Sequence, residues 1–212
     1  MYGLDIVRCL LAGRFGPGAY VDALKALVDD LGLREDFLGW GIGRRAQRVA
    51  APIDWRGPRA VPLLGDSVSS NYGDAESAFG IAMTAPGLVT LYDAIGRSAT
   101  RPGADSASAA ARMCTSEAGR LYDRVLTYAA AFGVGTMVDL PSHGFAEEWG
   151  AGSFGAVGYF GSTWVLSKPL QRITVVVNIV GISTMEVEMG SRRPELSRYL
   201  LGALQSGVED RG

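Results

Sequence analysis

The stretch from Gly150 to Ile179, GAGSFGAVGYFGSTWVLSKPLQRITVVVNI, constrains this fold more than any other. It reads as a glycine-rich approach, a strand over Phe154–Leu166, a turn at Lys168-Pro169 and a second strand over Arg172–Val180. From Ile173 to Ile179 the second strand is apolar on both alternating faces, and only Thr174 and Asn178 are polar. A strand with one wet face alternates, whereas one that is apolar throughout is covered on both faces. The pattern therefore predicts a central strand, paired on both sides. Phe154–Leu166 supplies one neighbour, and downstream only the weak Thr184–Glu188 run offers another. An apolar strand edge left unpaired is an association site. A second copy of the chain, or a second chain, is thus expected to supply a sheet neighbour for Ile173–Ile179.

The rest of the chain is mostly helical in pattern. Leu4, Ile6, Val7, Leu10 and Leu11 make a helical stripe that Gly16-Pro17-Gly18 stops. A second helix carries Tyr20, Val21, Leu24, Leu27, Val28 and Leu31 on one side, with Gly32 as its C-terminal cap. Leu33–Tyr72 loses period and is punctuated by glycine and proline, which allows short strands at most. Thr84-Ala85-Pro86 opens a short helix with Leu88, Leu91, Tyr92 and Ile95 inward. Arg97–Asp105 reads as a loop, Ser106–Met113 as helix, Glu117 to about Ala130 as further helix, and Phe132–Leu140 as a strand. A last helix starts near Pro194 and points Leu196, Tyr199, Leu200, Ala203 and Leu204 inward. Helices, then antiparallel strands, then a closing helix predict an α+β class, an antiparallel sheet flanked by helices. At 212 residues the chain is long enough for a single domain with a full core.

Composition removes several function classes. A net charge of −2 gives no basic face for nucleic acid or an anionic membrane. The two cysteines, Cys9 and Cys114, are far apart and match no metal-ligand spacing, and the one histidine, His143, excludes a site built on two imidazoles of one chain. No cofactor or metal is expected. No apolar run reaches membrane-spanning length, and MYGLDIVRCLLAGRFG lacks the charged leader of an export signal, so a cytoplasmic protein is expected.

Three motifs invite chemistry. Gly150-Ala151-Gly152-Ser153-Phe154-Gly155 matches GxGxxG, but a dinucleotide site needs a strand before and a helix after it. Here a strand pattern follows, and no acid stands about 20 residues on to take a ribose. A glycine-rich turn is the preferred reading. Ala151–Gly155 also mimics a nucleophile elbow around Ser153, yet that motif places its histidine after the serine, and His143 comes before. His143 lies in Pro141-Ser142-His143-Gly144 just past a predicted strand. It is a possible general base, although a surface loop residue is the plainer reading.

Several segments together resemble the serine β-lactamase and penicillin-binding esterase family, in its class C-like branch. Tyr2–Val7 resembles the start of the family's tyrosine-motif helix, and Asp30–Asp36 the segment after it. Pro86–Ala94 looks like the "GGL-x-ST-x-x-D-L" helix and Phe132–Gly135 the "GLGW" strand. Phe154–Ser162 looks like the "GHTGxxGS" strand and Ile173–Asn178 the apolar strand that follows. Order and approximate spacing agree along nearly the whole chain, against the later part of the family's domain. The resemblance implies a partial transpeptidase-like fold and acyl transfer. In the family a serine in S-x-x-K is acylated, the lysine and a tyrosine manage its proton, and backbone N–H groups form the oxyanion hole.

This sequence departs from that pattern. Asp22 and Val165 stand three before Lys25 and Lys168, the two lysines, so S-x-x-K is absent. Tyr2 is the general base in one register of the tyrosine motif; in the better-fitting register that residue would precede Met1. The K/H-T/S-G position reads Ala156-Val157-Gly158. The small glycine is kept, while the ionisable residue and the hydroxyl are gone. The resemblance therefore implies a diverged or truncated member that does not run acyl-enzyme hydrolysis alone. It is expected to bind a small molecule along Ala156, Val157, Gly158 and Tyr159, or to act as an associating scaffold. The rival expectation is a serine hydrolase or acyltransferase completed by a partner chain or by other residues. Tyr2, Ser153, Ser162 and His143 are its first catalytic candidates. A third is a new reaction in the inherited pocket that needs shape more than a nucleophile.

Overall fold

The computed structural model describes residues 13–16, 19–40, 53–54, 61–62, 81–116, 118–124, 127–158, 163–178, 184 and 187–209. The Leu4–Leu11 stripe lies outside these residues. Helix α1 spans Ala19–Asp30 and ends as its sequence predicts. Gly32 sits at φ 67°, with Gly32 N donating to Asp29 O and Leu33 N to Val28 O at 2.8 Å. These bonds satisfy the last helical carbonyls and bring Val28 and Leu33, both buried, together. Leu27, expected inward, is exposed. Short strands β1 (Phe37–Trp40), β2 (Ile53–Asp54), β3 (Val61–Pro62) and β4 (Ile81–Met83) follow, with β1 paired to β4 and β2 to β3.

Helix α2, Ala85–Thr100, is entered at Thr84, whose hydroxyl accepts from Gly87 N at 3.1 Å. It runs a turn beyond the predicted short helix, through the expected loop start. Within it Gly96 is buried against other elements. A Cβ there would stand 3.0 Å from Pro169 Cβ, so this glycine lets the helix lie close on the sheet. Helix α3, Ala109–Cys114, is capped by Ser108. Where helix was expected over Glu117–Ala130, the chain forms a hairpin of β5 (Arg120–Asp123) and β6 (Tyr128–Phe132). Gly119 and Thr127 take left-handed conformations at its ends. Ala130 and Ala131 are buried, so packing overrides the helix preference of alanine.

The expected strand Phe132–Leu140 is cut by a tight turn, with Gly133 N donating to Thr136 O, and only β7 (Met137–Val138) remains. Two 3₁₀ turns follow, Leu140–His143 and Glu147–Trp149. Phe154–Leu166 is two strands rather than one, β8 (Phe154–Val157) and β9 (Thr163–Lys168). A 3₁₀ turn over Pro169–Gln171 leads to β10 (Ile173–Asn178), which pairs antiparallel with β9 from Ile173↔Lys168 to Asn178↔Thr163. The result is a six-stranded antiparallel sheet in the order β10-β9-β8-β7-β6-β5.

One core joins Leu140, Phe145, Ala146, Trp149, Trp164, Leu166 and Leu201, with Ile173, Val175 and Val177 packed against it. On the other face Ala131, Val138 and Phe154 pack with Tyr92 and Ile95 of α2. The chain is thus an α+β protein with an antiparallel sheet between helical layers. The fully buried strand is β9, whose Trp164, Val165, Leu166 and Ser167 are all at most 5% exposed. β10 is apolar because both its faces are covered, but it ends the sheet: among the described residues it has β9 on one side and no strand on the other. Thr184–Glu188 does not fill that place, since Val187 and Glu188 enter a π-turn over Glu188–Arg192 that leads into helix α4, Arg193–Glu209. Of the residues expected inward on α4, Leu196 packs against the core and Leu200 is half-buried. Ser197 and Leu201 are buried, whereas Tyr199 (72% exposed), Ala203 and Leu204 face out. No described helix is long and apolar enough to cross a membrane.

Candidate functional site

Ser153 closes the glycine-rich turn after the second 3₁₀ segment. Gly150, at φ 70°, reverses the chain, and the Ser153 hydroxyl donates to Gly150 O at 2.7 Å while accepting from Leu140 N at 3.1 Å. Its backbone carbonyl accepts from Asp139 N at 2.8 Å. The residue is fully buried. A serine nucleophile needs a base within hydrogen-bond reach and an approach for substrate. Ser153 has neither, and its hydroxyl joins the strand entry to the first 3₁₀ turn.

His143 also lies inside the protein rather than on a surface loop, and it is 0% exposed. Its Nε2 stands 2.6 Å from Ala131 O, so that nitrogen carries the proton and donates. The neighbouring Ser142 hydroxyl accepts from Ala131 N at 3.2 Å. Both main-chain groups of Ala131 are therefore met by side chains of the 3₁₀ turn. The ring meets Phe132 and Tyr128 edge-on, at 4.9 and 6.4 Å between centroids. Burial, then the Arg193 charge, pushes its pKa below the ordinary histidine value against the pull of the Ala131 carbonyl. It stands as a neutral ring that bonds the sheet and does not meet Ser153.

The β8 segment keeps an open wall. β7 pairs only with Phe154 and Gly155, so Ala156 and Val157 run past its end and are paired on the β9 side alone among the described residues. Gly155 permits this tight packing, since a Cβ there would stand 2.1 Å from Val165 O. Beside the free edge is a shallow depression of about 280 Å³ lined by Phe132, Gly133, Gly135, Thr136, Met137, Ala156 and Val157. The Thr136 hydroxyl is spent on Met113 O. Gly158 is exposed, and its N–H donates to Thr163 O at 2.7 Å. Tyr2, Tyr159 and Ser162 lie outside the described residues. The structure thus brings Ala156 and Val157 to one open wall and sets Ser153 and His143 into the interior.

A second polar cluster carried little sequence signal. Glu188, fully buried in the π-turn, meets Arg192 Nη1 at 2.5 Å and Arg193 Nε at 3.7 Å. Arg193 Nη1 donates to His143 O at 2.9 Å, and the guanidinium lies 5.4 Å over the Phe145 ring. The Tyr128 hydroxyl and His143 Nδ1 are buried without hydrogen-bond partners. Only the i,i+4 spacing of Glu188 and Arg192 hinted at this cluster. Cys114 is a free, half-buried thiol whose pKa burial pushes up to about 11. Among the described residues no cluster of three or more histidine, cysteine or acidic side chains gathers as a metal site. Comparison with protein-family models and with curated proteins returns no match.

Proposed function

We propose that this chain is a diverged serine β-lactamase-like protein that binds and associates rather than hydrolyses. The observation that carries the reading is the fate of the two polar side chains best suited to acyl chemistry. Ser153 and His143 are buried and committed to separate main-chain partners. The Ala156-Val157-Gly158 wall supports the binding half. It offers an apolar depression and an open strand edge, with no ionisable group among the residues that line it. A small, uncharged ligand with an apolar body suits such a wall.

The end of the sheet supports the associating half. In the family, strands from the N-terminal part of the domain lie beside the last strand; here β10 has a neighbour on one side among the described residues. Two β10 strands related by a twofold axis can pair antiparallel with Val175 opposite its own copy and Ile173 opposite Val177, which keeps residues of one face together. A second copy is therefore the proposed partner. Light scattering across a concentration series tests this together with turnover of a chromogenic ester. The expected outcome is a reversible dimer with ester hydrolysis at the buffer rate. A concentration-independent monomer that turns over the ester overturns the proposal.

A further inference from the structure

We propose that His143 is a proton-sensitive pin between the sheet and the C-terminal helix, and that protonating it releases α4 with its π-turn as one unit. His143 is held in two directions. Its ring bonds Ala131 O of β6 at 2.6 Å, and its carbonyl accepts from Arg193 Nη1 of α4 at 2.9 Å. The other polar tethers of α4 land on the same short segment. Ala146 N donates to Ser197 Oγ at 2.9 Å, Trp149 Nε1 to Ser197 O at 3.2 Å, and Arg198 pairs with Glu148 at 2.9 Å. Helix α4 thus reaches the sheet's hydrogen bonds through the 3₁₀ segment, and His143 joins the two.

The groups around the ring make an added proton costly. From β6 come the Tyr128 and Phe132 rings and the Ala131 carbonyl. From β7 and its end come the Val138 carbonyl and the Asp139 carboxylate, which favour a proton. Asp139, however, is held by Arg120 at 2.6 Å. From α4 comes the Arg193 guanidinium, which opposes a proton and is itself drawn toward Glu188 of the π-turn. The added proton would sit on Nδ1, a buried atom with no hydrogen-bond partner. A second cation beside Arg193 in a fully buried place is relieved when α4 lifts, because water then reaches Nδ1 and Arg193 moves off. Release uncovers Trp149, Trp164 and Leu201, all at most 1% exposed in the closed form.

The sign follows from the lowered pKa. A neutral buried imidazole favours the closed form above the ordinary histidine value of 6.5, and that preference is lost as the pH falls through the depressed one. The chain has one histidine, so its ring signal in proton NMR reports this group alone. The test follows that signal and backbone amide exchange together between about pH 8 and pH 5, the range in which histidine titrates. Between the ordinary value of 6.5 and the imidazole midpoint of the closed form, α4 is expected to lose up to about tenfold in corrected protection per pH unit, while β9 keeps its own. His143→Gln is expected to keep α4 protection flat over the same range. Protection of α4 that is unmoved across the titration overturns the proposal. So does a loss shared equally by β9, or one that the Gln variant retains. Should that variant fail to fold, a loss of α4 protection in the wild-type protein that begins near pH 6.5 and levels off at the imidazole midpoint decides by itself.

Discussion

Ser153 and His143 each hold a buried main-chain group, Leu140 N and Ala131 O. Replacing Ser153 with alanine removes the acceptor of Leu140 N. An unsatisfied buried donor costs about 1–3 kcal/mol, so Ser153→Ala is expected to lower the urea midpoint by that equivalent. Ester turnover by the variant is expected to stay at the buffer rate of the parent. His143 adds a pH term. Its folded pKa lies below the unfolded one, so its stabilisation is complete above about pH 6.5 and declines as acid is added. Urea unfolding at about pH 7.5 and about pH 5.5, on either side of that value, is expected to show the lower midpoint at the acidic end. A His143→Gln variant is expected to narrow the gap. Neither residue's burial was legible in the sequence, because both stand in short polar, glycine-bounded turns whose depth depends on elements packed from elsewhere.

At the scale of elements, the readable segments were those whose local chemistry agrees with their packing. The Thr84 cap, the Gly32 cap and the β9–β10 hairpin all combine a strong local signal with a matching environment. The misread segments were those in which the two conflict. Arg120–Phe132 is alanine-rich yet forms strands, because Ala130 and Ala131 must be small where the 3₁₀ turn lies on them. In helix α4 only part of the predicted face is inward: Leu196 packs on the core and Leu200 is half-buried, whereas Tyr199, Ala203 and Leu204 are exposed and Ser197 and Leu201 take the buried places. The Ala156–Val157 wall was legible as position but not as shape, since the end of β7 beside it depends on a tight turn at Gly133–Thr136. Gly155→Ala tests how closely this wall is built. The new methyl meets Val165 O, so β8 and β9 must part. The expected result is a loss of several kcal/mol, in the range reserved for disrupted cores, measured by chemical denaturation. Wild-type stability in that variant would show that the two strands are not held so closely.

Across the whole molecule, the sheet divides two kinds of work. Its inner strands and both helical layers bury Ser153 and His143, and among the described residues its periphery stays open at the Ala156–Val157 wall and at β10. Acyl-enzyme chemistry requires an accessible serine with a base beside it. Ser153 and His143 meet neither requirement, since both are buried on separate main-chain partners, and Ala156 and Val157 at the open wall carry neither a charge nor a hydroxyl. The measurement closest to that claim is intact-mass spectrometry of the native chain after incubation with a fluorophosphonate probe, with peptide mapping of any adduct. The expected result is unmodified protein, with only traces of scattered labelling. One stoichiometric adduct on a single serine would contradict the account, and the identity of that serine would show which residue carries the chemistry.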